Sequence, residues 1–218
     1  MPCTASEGPS RSTLSESATW SYGMPYNQVA DSDSVLRLGP SLTVQGIFTP
    51  SDYQALSAED QDLGSTAPAL LPGGLVFEVG KQGVGYVLNG SRLGGTGGEL
   101  TSASVCEGGF GGDAVDGSTV VFSCYRSLRT VQITGGSKPQ LTTGWSATGG
   151  NPGPPIIAGG VVWDVDRNGT LTGYRLSDGH QVYRAKDDSP TTSFPSLAAS
   201  GTRLVVPAGT RVVSYTGI

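Results

Sequence analysis

Four stretches of the chain repeat one pattern, and that repeat limits the fold more than any other feature. They are APALLPGGLVFEVGKQGVGYVLNG (67–90), GGDAVDGSTVVFSCYRSLRTVQIT (111–134), PPIIAGGVVWDVDRNGTLTGYRLS (154–177) and PSLAASGTRLVVPAGTRVVSYTGI (195–218). Each has a short apolar run, a Gly turn, an apolar triplet, a polar or Gly turn, and another apolar run. The triplets end at Phe77, Phe122, Trp163 and Val206, in steps of 45, 41 and 43 residues. A period near 43 residues matches a four-stranded propeller blade of about 40–45 residues. Short runs of Val, Leu, Phe and Tyr bounded by Gly, Pro and Asn read as strands. One such sheet cannot bury both faces alone, whereas radial stacking buries them and leaves only short edges. A two-sheet sandwich explains alternating strands but not a sustained repeat.

The fold class is therefore all-β, a β-propeller-like array of four-stranded blades with about four to five repeats. The alternative within that class is a fragment of a seven- or eight-bladed ring. Blade units fall at about 66–100, 102–147, 153–188 and 192–218. A partial blade occupies 30–50, where DSVLRLGPSLTVQGIFTP reads as two strands around a Gly39-Pro40-Ser41 turn. Between it and the first full unit, Ser51 precedes Gln54 by three residues, a capping-box pattern that Ser57 and Asp60 repeat. One or two short helical turns are expected there. Asn168-Gly169 reads as a two-residue hairpin turn. Residues 1–18 are polar and expected to be a disordered tail without an apolar signal core. If the protein is exported, its leader lies upstream or has been removed.

Composition narrows the function classes. Gly supplies 34 of 218 residues, about twice ordinary usage, as many turns require. The net charge of −5 comes with no basic block, so no nucleic-acid face is expected. No apolar run approaches the ~20 residues of a membrane span.

The repeat, with GVGYVL (83–88) and LTGYRLSDG (171–179) in its outer strands, resembles the PQQ-like (quinoprotein-type) β-propeller repeat. DLGS (62–65) before APALLPGG is similar to the start of a blade in that family, and TLTGYRLSDGHQVYRA to its strand–turn–strand. FTPSDYQALSAEDQDLGST together with SVCEGGFGG resembles secreted members from high-GC Gram-positive bacteria. The resemblance covers roughly residues 30–218. It implies a seven- or eight-bladed ring, more units than this chain holds. In enzymes of the family it would also imply bound PQQ, a Ca²⁺ that polarises the quinone, a carboxylate base and an adjacent-Cys disulfide. No Cys-Cys pair exists here, and no calcium set is assignable.

Cys106 and Cys124 lie 18 residues apart, beside strands of one repeat. A metal or redox pair would need Cys-x-x-Cys spacing or a nearby His, so a structural disulfide is expected, with Cys3 left over. A disulfide implies an oxidising compartment. The lone His180 sits in a turn and is expected to be exposed rather than catalytic. Gly80–Gly85 lacks the Gly-Lys-Ser/Thr order of a phosphate loop and reads as a hairpin turn, and Gly94–Gly98 as loop. Carboxylate pairs at Asp60/Asp62, Asp113/Asp116, Asp164/Asp166 and Asp187/Asp188 read as acidic turns and a solvated strand face. Asp164 and Asp166, two apart on a strand, could alternatively share a cation. Asn89-Gly90-Ser91 and Asn168-Gly169-Thr170 match the glycosylation acceptor pattern but read as turns.

These residues point to a non-catalytic extracytoplasmic binding or scaffold module, at the cell surface or secreted, needing no cofactor. Its partner would be a protein or carbohydrate at the rim. The alternative is a PQQ-dependent dehydrogenase or a remnant of one. The C-terminal unit has room for three strands, so N-terminal strand material or a second chain is expected to complete it. Self-association is one route to that closure.

Overall fold

The computed structural model describes residues 13–17, 33–186, 191 and 193–217. Five sheets follow one another along the chain, all antiparallel but for one parallel edge pair in the first. The first holds β1 (Thr13–Ser17), β2 (Ser34–Leu38) and β3 (Val44–Thr49). The second holds β4 (Ala69–Leu71), β5 (Leu75–Val79), β6 (Val84–Asn89) and, beyond the two-residue β7 (Gly95–Thr96), β8 (Thr101–Ser104). The third holds β9 (Gly109–Asp116), β10 (Thr119–Cys124), β11 (Ser127–Thr134) and β12 (Gln140–Thr148). The fourth holds β13 (Ile156–Ala158), β14 (Val161–Val165), β15 (Thr170–Arg175) and β16 (Gln181–Lys186). The fifth holds β17 (Ala198–Ser200), β18 (Arg203–Ala208) and β19 (Arg211–Thr216). In the second to fifth sheets the strands pair as a meander, in chain order apart from the skipped β7. The leading strands β4, β9, β13 and β17 of these four sheets touch in succession, as radially stacked blades require.

Two of the expected boundaries shift. The second sheet takes its outer strand from 101–104, past residue 100, because Val84–Val87 still needs a partner along its free edge. The first sheet is a full four strands. Backbone groups of β2 pair with β1, from within the stretch expected to be a disordered tail. Cys3 lies outside the described residues. The other edge of this sheet is closed by β7, which pairs in parallel with Phe48–Thr49. That strand comes from the Gly94–Gly98 cluster expected to be loop. The N-terminal strands β2 and β3 thus build the first sheet rather than complete the last. The described part of the fifth sheet has three strands.

Each seam between sheets holds its own apolar cluster. Val35 and Phe48 meet Val76, Tyr86 and Leu88 between the first two sheets. Phe77 and Val79 meet Val120, Phe122 and Cys124 at the next seam. Val121 and Leu128 meet Val162, with Trp145 and Tyr174 packed alongside. Trp163 and Val165 meet Leu204 and Val206 at the last. The rings of Phe48, Phe77 and Phe122 are fully buried, each worth about 1.5–3 kcal/mol of transfer free energy.

The linker between the first two sheets contains helix α1 (Tyr53–Ala58) and a 3-10 turn at Leu63–Ser65, as the sequence suggested. The capping boxes do not form. Asp52 rather than Ser51 stands at the N-cap, with no side-chain cap bond. Ser57 donates its hydroxyl to the buried Asp33 carboxylate, which also accepts the Leu63 N–H at 3.1 Å. A local cap is exchanged for a tie to the first sheet. The Asn168-Gly169 turn is also longer than two residues. Gly169 N–H bonds Asp166 C=O at 3.0 Å around Arg167 and Asn168, and Gly169 takes φ +78° at the bulge position.

Candidate functional site

The residues that stand out chemically gather where the second sheet hands over to the third. β8 ends at Ser104 and β9 begins at Gly109. The connection between them is held from both sides. Gly83 accepts the Val105 N–H at 2.8 Å and the Cys106 N–H at 3.2 Å, and Gly108 accepts the Tyr125 N–H at 2.8 Å. Gly83 must be glycine here. Its φ is +76°, and a Cβ would lie 2.0 Å from the Cys106 carbonyl oxygen. Cys106, in the connection, is bridged to Cys124, the last residue of β10, with Cα atoms 6.3 Å apart. The bridge pins an inter-blade crossover to the next blade.

Immediately after Cys124 comes a hairpin tip of two residues, Tyr125 and Arg126. Tight hairpin turns favour Gly, Asn or Asp where φ is positive. Arg126 nevertheless takes φ +61°. Its guanidinium carbon stands 5.7 Å from the centroid of the Tyr125 ring, within cation–π range. A pocket of about 450 Å³ opens beside this tip. Glu107, Tyr125, Arg126, Ser127 and Arg129 line it, together with Thr148, Gly149 and Gly150. Arg129 Nε donates to Ser127 Oγ at 3.2 Å. Among the described residues, neither arginine forms an ion pair. Sequence reasoning found the cysteines but missed Glu107, Tyr125, Arg126 and Arg129. The one available signal was a turn between two strands with no Gly, Asn or Asp in it.

Buried carboxylates form a second group, dispersed rather than clustered. Asp164 is 5% exposed, so its reading as a solvated strand face is wrong. A blade stacked on both sides has no wet face along its second strand, and Asp164 points with Val162 into the seam with the third sheet. Burial first, and the nearby Asp166 charge, push its pKa up to about 8, against the lowering effect of an N–H from Gly153. Asp166 lies in the turn that follows the strand. Its carboxylate accepts the Asn168 and Thr170 N–H groups, both at 2.9 Å, and so shapes the turn. Asp113, opposite Phe122 in the third sheet, has both carboxylate oxygens shut away from solvent without a hydrogen-bond partner among the described residues. Burial raises its pKa well above the ordinary value. Glu78 is fully buried and accepts the Thr66 hydroxyl at 2.5 Å and the Val79 N–H at 3.2 Å.

The remaining candidates are structural. Gly80–Gly83 is a turn between β5 and β6, and its Lys81 lies 2.8 Å from Asp60 and 2.5 Å from Asp62. His180 is exposed, and its N–H is taken up by Asp178 at 2.9 Å. Asn89 accepts from the Ser91 and Arg92 N–H groups at 3.0 and 3.1 Å, an Asx-type turn. Asp187 and Asp188 lie outside the described residues.

No family model and no curated protein matches the sequence. Solved structures do match the fold. BamB from Moraxella catarrhalis superposes with a TM-score of 0.56 at 15% identity, over 84% of this chain and 52% of that one. The computationally designed Ika8 protein gives 0.55 at 12% identity, over 84% and 55%. The designed Ika4 protein gives 0.51 at 14% identity, over 70% of this chain and 89% of that one. The fold so defined is an all-β array of propeller blades. The chain spans about half the length of BamB and Ika8.

Proposed function

We propose that this chain is a non-catalytic extracytoplasmic binding or scaffold module of the PQQ-like repeat type, with its partner at the rim of the blades. The observation that carries the reading is the Cys106–Cys124 bridge beside the Tyr125-Arg126 tip. A loop held covalently and seated on stacked sheets presents its side chains with little ordering cost on binding. A bridge of this kind persists outside the reducing cytosol, which supports an extracytoplasmic location.

The far face of the fifth sheet supports self-association as a second element of the reading. Val205 and Val212 are 38% and 73% exposed there, on the side turned away from the fourth sheet. Location is tested by alkylating thiols in intact producing cells before fractionation. Cys106 and Cys124 should resist the reagent, and the protein should be recovered outside the cytoplasmic membrane. A cytosolic protein with both thiols labelled would refute the reading.

A further inference from the structure

The three hairpin tips joining the second and third strands of the second, third and fourth sheets differ in what their side chains do. At the second sheet, Lys81 is neutralised by Asp60 and Asp62. At the fourth, Asp166 bonds the backbone of its own turn. Only the third sheet's tip carries an exposed aromatic ring, Tyr125, next to a cation committed to no carboxylate. Arg126 also occupies a left-handed conformation that costs a non-glycine residue roughly 1 kcal/mol or more. Folding does not require arginine at that position, since glycine or asparagine would sit there more comfortably.

The pocket's chemistry is mixed in an informative way. Arg126 and Arg129 offer planar guanidinium groups matched to an oxyanion. Glu107 offers a carboxylate that accepts hydroxyl hydrogen bonds, and Ser127 and Thr148 offer hydroxyls. Tyr125 is half-exposed, and the part of its ring not covered by the Arg126 guanidinium offers a surface for apolar stacking. A bare inorganic anion would use the arginines but meet Glu107 as a repulsive charge. A neutral sugar would leave the arginines unused. A volume of about 450 Å³ suits a ligand of monosaccharide size rather than a single ion.

We propose that the pocket framed by Glu107, Tyr125, Arg126 and Arg129 binds an acidic sugar unit, its anionic group on the guanidinium pair, its ring face on Tyr125 and its hydroxyls on Glu107. This inference rests on the binding-module reading and gives that module a ligand class. The anionic group is a carboxylate, as in a uronate, or a phosphate ester, and the titration below separates the two.

The test uses the disulfide-intact full chain, titrated with glucuronate, glucose 6-phosphate, glucose, acetate and sulfate while backbone amide resonances are followed. Glucuronate or glucose 6-phosphate should shift residues 107, 125–129 and 148–150 saturably, and the tighter of the two identifies the anionic group. Glucose, acetate and sulfate should bind at least about tenfold more weakly. Arg126→Gly should weaken the acidic sugar about tenfold or more while raising the melting temperature, because it relieves the positive φ. A merely structural arginine would not separate those two readouts. Arg129→Ala and Tyr125→Ala should each weaken binding without shifting resonances of the first two sheets. The proposal is overturned if neither acidic sugar shifts these residues, if sulfate or glucose binds as tightly, or if Arg126→Gly leaves affinity unchanged. A protein found outside the cytoplasm that ignores both sugars loses the ligand assignment alone, whereas a cytosolic protein that binds them loses the compartment alone.

Discussion

Phe77 and Phe122 meet ring to ring between the second and third sheets, with centroids 5.4 Å apart and planes tilted by 46°. Both end the apolar triplet of their repeat, yet they look in opposite directions. Phe77 faces forward along the stack and Phe122 faces back. The residue of the third sheet that faces forward is its neighbour, Val121, just as Trp163 does in the fourth. The structural repeat therefore runs through positions 77, 121, 163 and 205, in steps of 44, 42 and 42 residues. That spacing is more even than the one the triplet ends suggest.

Because Phe122 is buried against Phe77 and Val131 in one seam, Phe122→Ala should cost about 3–5 kcal/mol. Val121→Ala loosens the other face of the same strand and should cost less, since fewer carbons are removed. Urea denaturation of the two variants measures the difference. Equal losses would mean the seams do not pack as described.

Removing the bridge should destabilise the chain by about 3 kcal/mol in the chain-entropy picture for a loop of this size. The Cys106→Ser/Cys124→Ser variant should melt well below the wild type under non-reducing conditions. The two should converge once the wild type is reduced. Identical melting before reduction would show that the crossover is held by its backbone hydrogen bonds alone.

Asp164 gives stability a pH dependence. Its folded-state pKa is about 8 against an ordinary 3.8, so the folded chain keeps a proton that the unfolded chain releases. Its contribution is full below pH about 4 and is lost progressively as pH rises to about 8. Asp113, raised for the same reason, adds a slope of the same sign. Asp164→Asn keeps an acceptor for the Gly153 N–H and should flatten part of the decline. Asp113→Asn/Asp164→Asn should flatten more of it. Urea midpoints from pH 5 to 9 check this, and a wild-type midpoint that holds steady across the window would refute it.

Gly173 lies opposite Trp163 in the fourth sheet. A Cβ there would stand 2.9 Å from the indole Cζ3 and 3.1 Å from Val161 Cγ1. The indole is held by its Nε1–H bond to the Ala158 carbonyl at 3.3 Å and by the edge of Tyr183 at 5.5 Å between centroids. Gly173→Ala should therefore destabilise by about 1–3 kcal/mol, with a red shift in tryptophan emission as the ring is displaced. A variant as stable as the wild type, with unchanged emission, would show that the ring retreats freely.

The stacked architecture was legible because a ~43-residue period with strand-type residues has few other solutions. The bridge was legible because thiols are rare and their spacing fits one repeat. Strand parity was not legible. Val120, Val121 and Phe122 are all apolar, and a strand buried on both faces shows no alternation to read. Asp164 was misjudged for the same reason, since a lone carboxylate between Trp163 and Val165 resembles the wet face of a half-buried strand. The pocket escaped because Glu107 and the Tyr125–Arg129 segment are separated by β9 and β10, and only the hairpin and the bridge bring them together.

β7 belongs to the backbone path of the second sheet but to the hydrogen-bond ladder of the first. The two leading sheets are consequently not interchangeable building blocks. A recombination or gene-duplication event that copied or excised residues 66–104 alone would carry away the strand that closes the edge of its neighbour. The heritable unit at this end of the chain is the pair of sheets together. Further along, each described sheet pairs only strands that are consecutive in the chain, so one continuous segment carries its whole hydrogen-bond ladder.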